Sequence, residues 1–105
     1  MKITEQQQKQ ITDKYEKTVS EMATLILIIR DATIISRDRK IMKKEIKELL
    51  VHWNEANKSL NASEAAIRYK YWECADSLLD DIVFRYGEIN VILKNINSTI
   101  RNQKN

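Results

Sequence analysis

A chain of 105 residues with no proline and one glycine has room for one domain but lacks the turn formers of a sheet protein, so it reads as all-α. Eighteen basic against fifteen acidic groups leave a net charge of +3, a modest excess for a nucleic-acid binder, and a hydrophobic share of 43% argues against global disorder. The lone cysteine, Cys74, excludes an internal disulfide and suits a reducing compartment; the polar start Met1 to Gln8 is unlike a signal peptide, so a cytoplasmic location is expected.

In chain order, residues 1–10 open as a frayed start, and the first helix is expected over about 5–35. From Ile11 apolar residues recur at helical spacing as Ile11, Tyr15, Thr18, Met22, Leu25, Ile29 and Ala32. Around Met22 to Ile35 the stripe broadens, because Val19, Ile26, Ile28, Ile34 and Ile35 add apolar surface on both flanks. A helix apolar over more than half its circumference needs more than one neighbour. A two-helix hairpin cannot supply that: either the chain folds back as three or four helices or two chains associate, and a long helical hairpin dimerising into a bundle of four or more helices is the main expectation. This stretch is shorter than the roughly twenty apolar residues of a membrane span and contains Arg30 and Asp31, so no transmembrane segment is expected.

Ser36 to Lys40 interrupts the pattern, and a second stripe then runs Met42, Ile46, Leu49, Trp53, Ala56 and Leu60 in a shifted phase. Two readings stay open: one long helix with a local change of winding, or a break near 36–40 with Ser36 or Asp38 capping a new helix over about 39–57. Asn57 to Asn61 is the one internal cluster of turn formers and marks the expected turn, with Asn61 and Glu64 at capping-box spacing.

A long last helix is then expected over about 62–102. Its stripe, Trp72, Ala75, Leu79, Ile82, Tyr86, Ile89, Leu93, Ile96 and Ile100, alternates threes and fours without a slip, which is the seam of coiled-coil-like packing. Leu25, Ile29 and Trp53 should face it from the other helices. Gly87 falls on the outer side, where it costs about 1 kcal/mol against alanine; a kink, the approach of another backbone and a tolerated weakness are its three readings. Trp53 and Trp72 flank the expected turn symmetrically and should lie at one level. The tail Asn102 to Asn105 should fray.

Motifs for chemistry are sparse. One glycine cannot build a phosphate-cradling loop, and one histidine with one cysteine falls short of a zinc site, so no cofactor and no metal are expected. His52 has Leu49 three positions before it, which excludes the Glu-x-x-His motif of di-iron bundles. Glu45, Glu48 and Glu55 near it read as a solvated stripe. Helical ribonucleases carry an arginine followed by four to six residues and a histidine; here Lys47 stands in the arginine's place. Secreted helical hairpins with a Trp-x-Gly turn are excluded likewise, because Trp53-Asn54-Glu55 has no glycine.

Charge is more informative. Residues 1–35 carry five basic and five acidic groups and residues 61–105 carry six of each, so the whole excess sits in 36–60. Arg37, Lys40, Lys44 and Lys47 fall on one face of a continuous helix, which is either a solubilising face or the candidate partner-binding stripe. Three functions follow: a non-enzymatic helical interaction module (an adaptor, small chaperone or immunity-type inhibitor) with a protein partner; a dimeric nucleic-acid binder using 37–47; or a small bundle enzyme centred on His52. The first is the main expectation. The richness in Ile, Lys and Asn suits an AT-rich bacterial, phage or plasmid gene.

Overall fold

The computed structural model describes residues 3–102, which form three α-helices and no strand. Helix α1 runs Glu5–Arg39, α2 Lys43–Arg68 and α3 Trp72–Asn102, packed side by side in a rod of 58 × 18 × 18 Å. Both connections are short, so successive helices are antiparallel and α1 runs parallel to α3. Of the tail expected to fray, Asn102 is the last residue of α3, and residues 103–105 lie outside the described residues.

Helix α1 starts on a capping box. The Thr4 hydroxyl accepts from the Gln7 amide at 3.2 Å, and the Gln7 side chain accepts from the Thr4 amide at 2.8 Å. The helix therefore begins at Glu5, and the frayed start does not extend to residue 10.

The two corners are built alike. At the first, the Ile41 amide donates to the Ser36 carbonyl at 3.0 Å and the Lys40 amide to the Arg37 carbonyl at 3.2 Å. At the second, the Tyr71 amide donates to the Ala66 carbonyl at 2.7 Å and the Lys70 amide to the Ile67 carbonyl at 3.1 Å. Each is a Schellman motif closed by a left-handed residue, a position where glycine is usual. Here lysines fill it, with φ of 56° at Lys40 and 63° at Lys70. Met42 follows at φ 56° and makes no side-chain cap bond to α2, while the Ser36 hydroxyl donates across the corner to the Ile41 carbonyl. The interruption near 36–40 is thus a true break, placed at 40–42, and neither Ser36 nor Asp38 caps α2.

The turn expected at 57–61 does not exist: Asn57 to Asn61 lie inside α2. Their polar side chains suggested a turn, but Ala56, Leu60 and Ser63 continue the buried stripe of Leu49 and Trp53 in unbroken helical spacing. Burying that stripe outweighs the few tenths of a kcal/mol by which each Asn or Ser disfavours a helix. Consequently α3 starts at Trp72, not near residue 62, and Glu64 binds Arg68 at 3.0 Å instead of capping. The level pairing of Trp53 with Trp72 falls with the turn. Trp53 stands about 22 Å along α2 from its C-terminal end at 1.5 Å per residue, whereas Trp72 opens α3 at that end.

The core follows the three stripes. Near the α2–α3 corner, Ile11, Met22, Ala56, Leu60, Ala75, Leu79 and Ile82 cluster; near the α1–α2 corner, Leu25, Ile29, Ala32, Ile46, Leu49, Ile89, Leu93 and Ile96 do. Half-buried Trp53 and Tyr86 touch both clusters and join them, and half-buried Trp72 packs on the first. Buried hydroxyls are satisfied locally: Thr18 donates to the Lys14 carbonyl and Ser63 to the Leu60 carbonyl, each at 2.7 Å. The Tyr86 hydroxyl crosses from α3 to the Thr18 carbonyl at 3.0 Å.

Candidate interaction surfaces

The break at 40–42 rearranges the basic residues. Arg37 and Lys40 belong to the end of α1 and the corner, whereas Lys44 and Lys47 stand exposed on α2, so the four do not form one helical stripe. Arg37 and Lys40 converge instead with Lys43 on a shallow cleft of about 580 Å³, completed by Thr33, Ser36 and Ile46. The first turn of α2 also starts here without a side-chain cap, and its free amides add a partial positive charge. Lys43 escaped the sequence reading because it is off the stripe of a continuous helix; only the corner turns it towards Arg37. The nearest counter-charge, Asp38, is 4.0 Å from Arg37 with both side chains exposed, a pairing worth little.

Helix α1 lies in the groove of the α2–α3 hairpin and buries one side only. Its other sides leave Val19, Leu27, Ile28, Ile34 and Ile35 exposed, with Leu27 at 52% and Ile28 at 46%. Fully burying such a side chain is worth about 1.5–3 kcal/mol, so each forgoes roughly 1 kcal/mol in the isolated chain. Arg30 and Asp31 are the charges within this surface.

Helix α3 presents a second uncovered stripe. Val83, Phe84 and Val91 are exposed around Gly87, Phe84 at 66% and Val91 at 58%. The same side carries Glu73, Asp76 and Asp80 before the apolar group, and Lys94 and Arg101 after it. A Cβ added at Gly87 would meet nothing within 4 Å, so no contact inside the chain calls for a glycine there, and α3 passes through it unbroken. Lys14 of α1 reaches this stripe, binding Asp76 at 3.0 Å and also Asp80. Burial alone would lower the Lys14 pKa; the two carboxylates override it and hold the ammonium above its usual range.

His52 and Cys74 are far apart. The His52 Nδ1 lies 3.3 Å from Arg85 Nη1, and Arg85 Nε lies 3.5 Å from Asp81, so a guanidinium bridges α2 and α3 there. None of Glu45, Glu48 and Glu55 is bonded to the imidazole among the described residues. Cys74 is exposed beside a cleft of about 610 Å³ at the N-terminal end of α3, with Ile3, Lys70, Tyr71 and Trp72. Roughly 16 Å of helix rise separates its level from that of Arg85. Among the described residues no three potential metal ligands gather, and no helix is long and apolar enough to cross a membrane. Comparison with protein-family models, curated proteins and solved structures finds no match.

Proposed function

We propose that this chain is a non-enzymatic helical interaction module, of the adaptor, small-chaperone or immunity-type inhibitor kind, that holds a helix of a partner protein along the outer side of α1. The observation that carries this reading is the row of exposed Leu27, Ile28, Ile34 and Ile35 on a helix whose core side is already filled. The partner's chemistry follows from what borders that row. An amphipathic helix with apolar residues along α1 and acidic residues over Arg37, Lys40 and Lys43 complements both the surface and its charged end. Self-association through the same kind of helix packing belongs to this reading, as does a cytoplasmic setting in which exposed Cys74 stays reduced.

The test is partner capture with surface variants. Leu27→Glu with Ile34→Glu should abolish capture and leave the fold intact, since exposed positions usually change stability by under ~0.5 kcal/mol. Lys40→Glu with Lys43→Glu should mainly slow association and change its salt dependence. Normal capture by both variants would refute the reading. Steeply salt-dependent binding of labelled DNA or RNA, lost with the lysine variant, would replace the protein partner with a nucleic acid.

A further inference from the structure

The outer stripe of α3 is complementary to itself. Reversed about Gly87, each position before the glycine meets the position equally far after it. Val83 then meets Val91, four residues on either side, and Asp80 meets Lys94, seven on either side. Glu73 meets Arg101 at fourteen. These intervals of four, seven and fourteen keep all the pairs on one face of the helix. Val83 and Val91 therefore face each other beside the glycine, while Phe84 falls opposite Asn90, and Asp80 and Glu73 face bases further out, on both sides of the centre.

We propose that a second copy of this chain packs antiparallel on the outer side of α3, the two helices crossing on a two-fold axis at Gly87. Such an interface is isologous, so Asp80 pairs with the partner's Lys94 while Lys94 pairs with the partner's Asp80. The absence of a side chain at the crossing lets the two backbones approach more closely than larger residues would allow, which brings Val83 and Val91 into contact with their counterparts and covers Phe84. This explains a helix-interior glycine in a chain that uses glycine nowhere else, at a site where the chain's own packing leaves open space. Asp80 also binds Lys14, and with a side chain 66% exposed it keeps an oxygen for the partner's lysine. The proposal rests on the reading that this module self-associates, and it uses α3 in place of the α1 surface assigned to the partner protein.

The test separates fold from association, because one substitution should move them in opposite directions. Gly87→Gln fills open solvent with a good helix former, so the dilute monomer should melt higher than wild type. In sedimentation from the micromolar to the near-millimolar range, wild type should show a concentration-dependent monomer–dimer equilibrium, a weak one for an interface this small. Gly87→Gln should raise its dissociation constant at least tenfold, and Lys94→Glu should do the same without raising the melting temperature. Leu27→Glu should leave the dimer unchanged. A wild type that stays monomeric throughout overturns the proposal, as does a dimer that both α3 variants form normally. A dimer lost only on Leu27→Glu transfers self-association to α1 and overturns the use of α3, while the module reading stands.

Discussion

One residue change made at two places tests the corner geometry directly. Lys70 closes α2 at φ 63°, and Lys58 sits in mid-helix within the cluster that resembles a turn. Lys→Gly at either site removes the same charge and loosens the unfolded chain equally. In the folded state the effects oppose. A left-handed conformation costs a residue with a Cβ roughly 1–2 kcal/mol, which glycine does not incur. Glycine gives back some 0.5–1 kcal/mol of extra backbone entropy on ordering. Lys70→Gly should therefore stabilise by about 0.5–1 kcal/mol. Lys58→Gly gains nothing, loses helix propensity, and should destabilise by about 1 kcal/mol. Its ion pair with Glu55, 3.4 Å long and largely exposed, adds little. At 4–8 °C per kcal/mol the two variants should melt roughly 6–16 °C apart, Lys70→Gly higher. Thermal unfolding followed by circular dichroism reads this. The opposite order would restore the turn at 57–61 and refute the three-helix geometry.

Other outcomes follow from the core and from pH. Ile89→Ala, at a site with no exposure, should cost about 2–5 kcal/mol in urea titrations, whereas Val91→Ala in the dilute monomer should cost under ~0.5; equal effects would mean that the seam is not buried. Burial, with Glu21 second, holds the Tyr86 hydroxyl well above its ordinary 10.0. Above that pH the unfolded chain releases a proton that the folded chain keeps, so stability should fall by up to ~1.4 kcal/mol per pH unit. Lys14 acts in the same direction, its stabilisation being complete below 10.5 and lost as pH rises through its elevated folded value. Tyr86→Phe should lose about 1 kcal/mol near neutrality with its bond to Thr18 and should flatten the alkaline slope; a slope parallel to wild type would contradict the burial argument.

The buried stripes were readable because they depend on spacing alone. All nine seam positions from Trp72 to Ile100 are buried or half-buried, and so are Ile11 to Ala32 on α1. The corners were not readable, because their residue types do not mark them. Left-handed lysines close both helices, while Asn57, Ser59 and Asn61, typical of turns, ride on the surface of α2. The better signal was continuity: Ala56, Leu60 and Ser63 extend Leu49 and Trp53 without a change of phase, and the next failure of spacing comes only at Tyr69 to Tyr71. The phase shift after Ile35 marked the neighbourhood of the first corner in the same way, but spacing alone left a change of winding in one long helix open beside the break that lies at 40–42.

The surfaces were harder to read than the core, since they depend on which sides of each helix the others leave open. Arg37 and Lys43 are six apart, a spacing that puts them on different sides of one continuous helix; at a corner they face one cleft. The charge order of α3 has a local use as well, because acids near the start and bases near the end of a helix complement its dipole. That accounts for Glu73 and Arg101, which lie in the terminal turns, but not for Asp80 and Lys94, which are two turns or more inside, where the dipole effect has faded. Lys14 accounts for Asp80 within the chain. Lys94 has no ion-pair partner among the described residues, and the apolar group between them, Val83, Phe84 and Val91, is left exposed. The order of residues about Gly87 is written in α3 itself, but only the position of α1, which reaches Asp76 and Asp80 through Lys14 from one side, shows that Val83, Val91 and Lys94 stay on an uncovered side of the bundle.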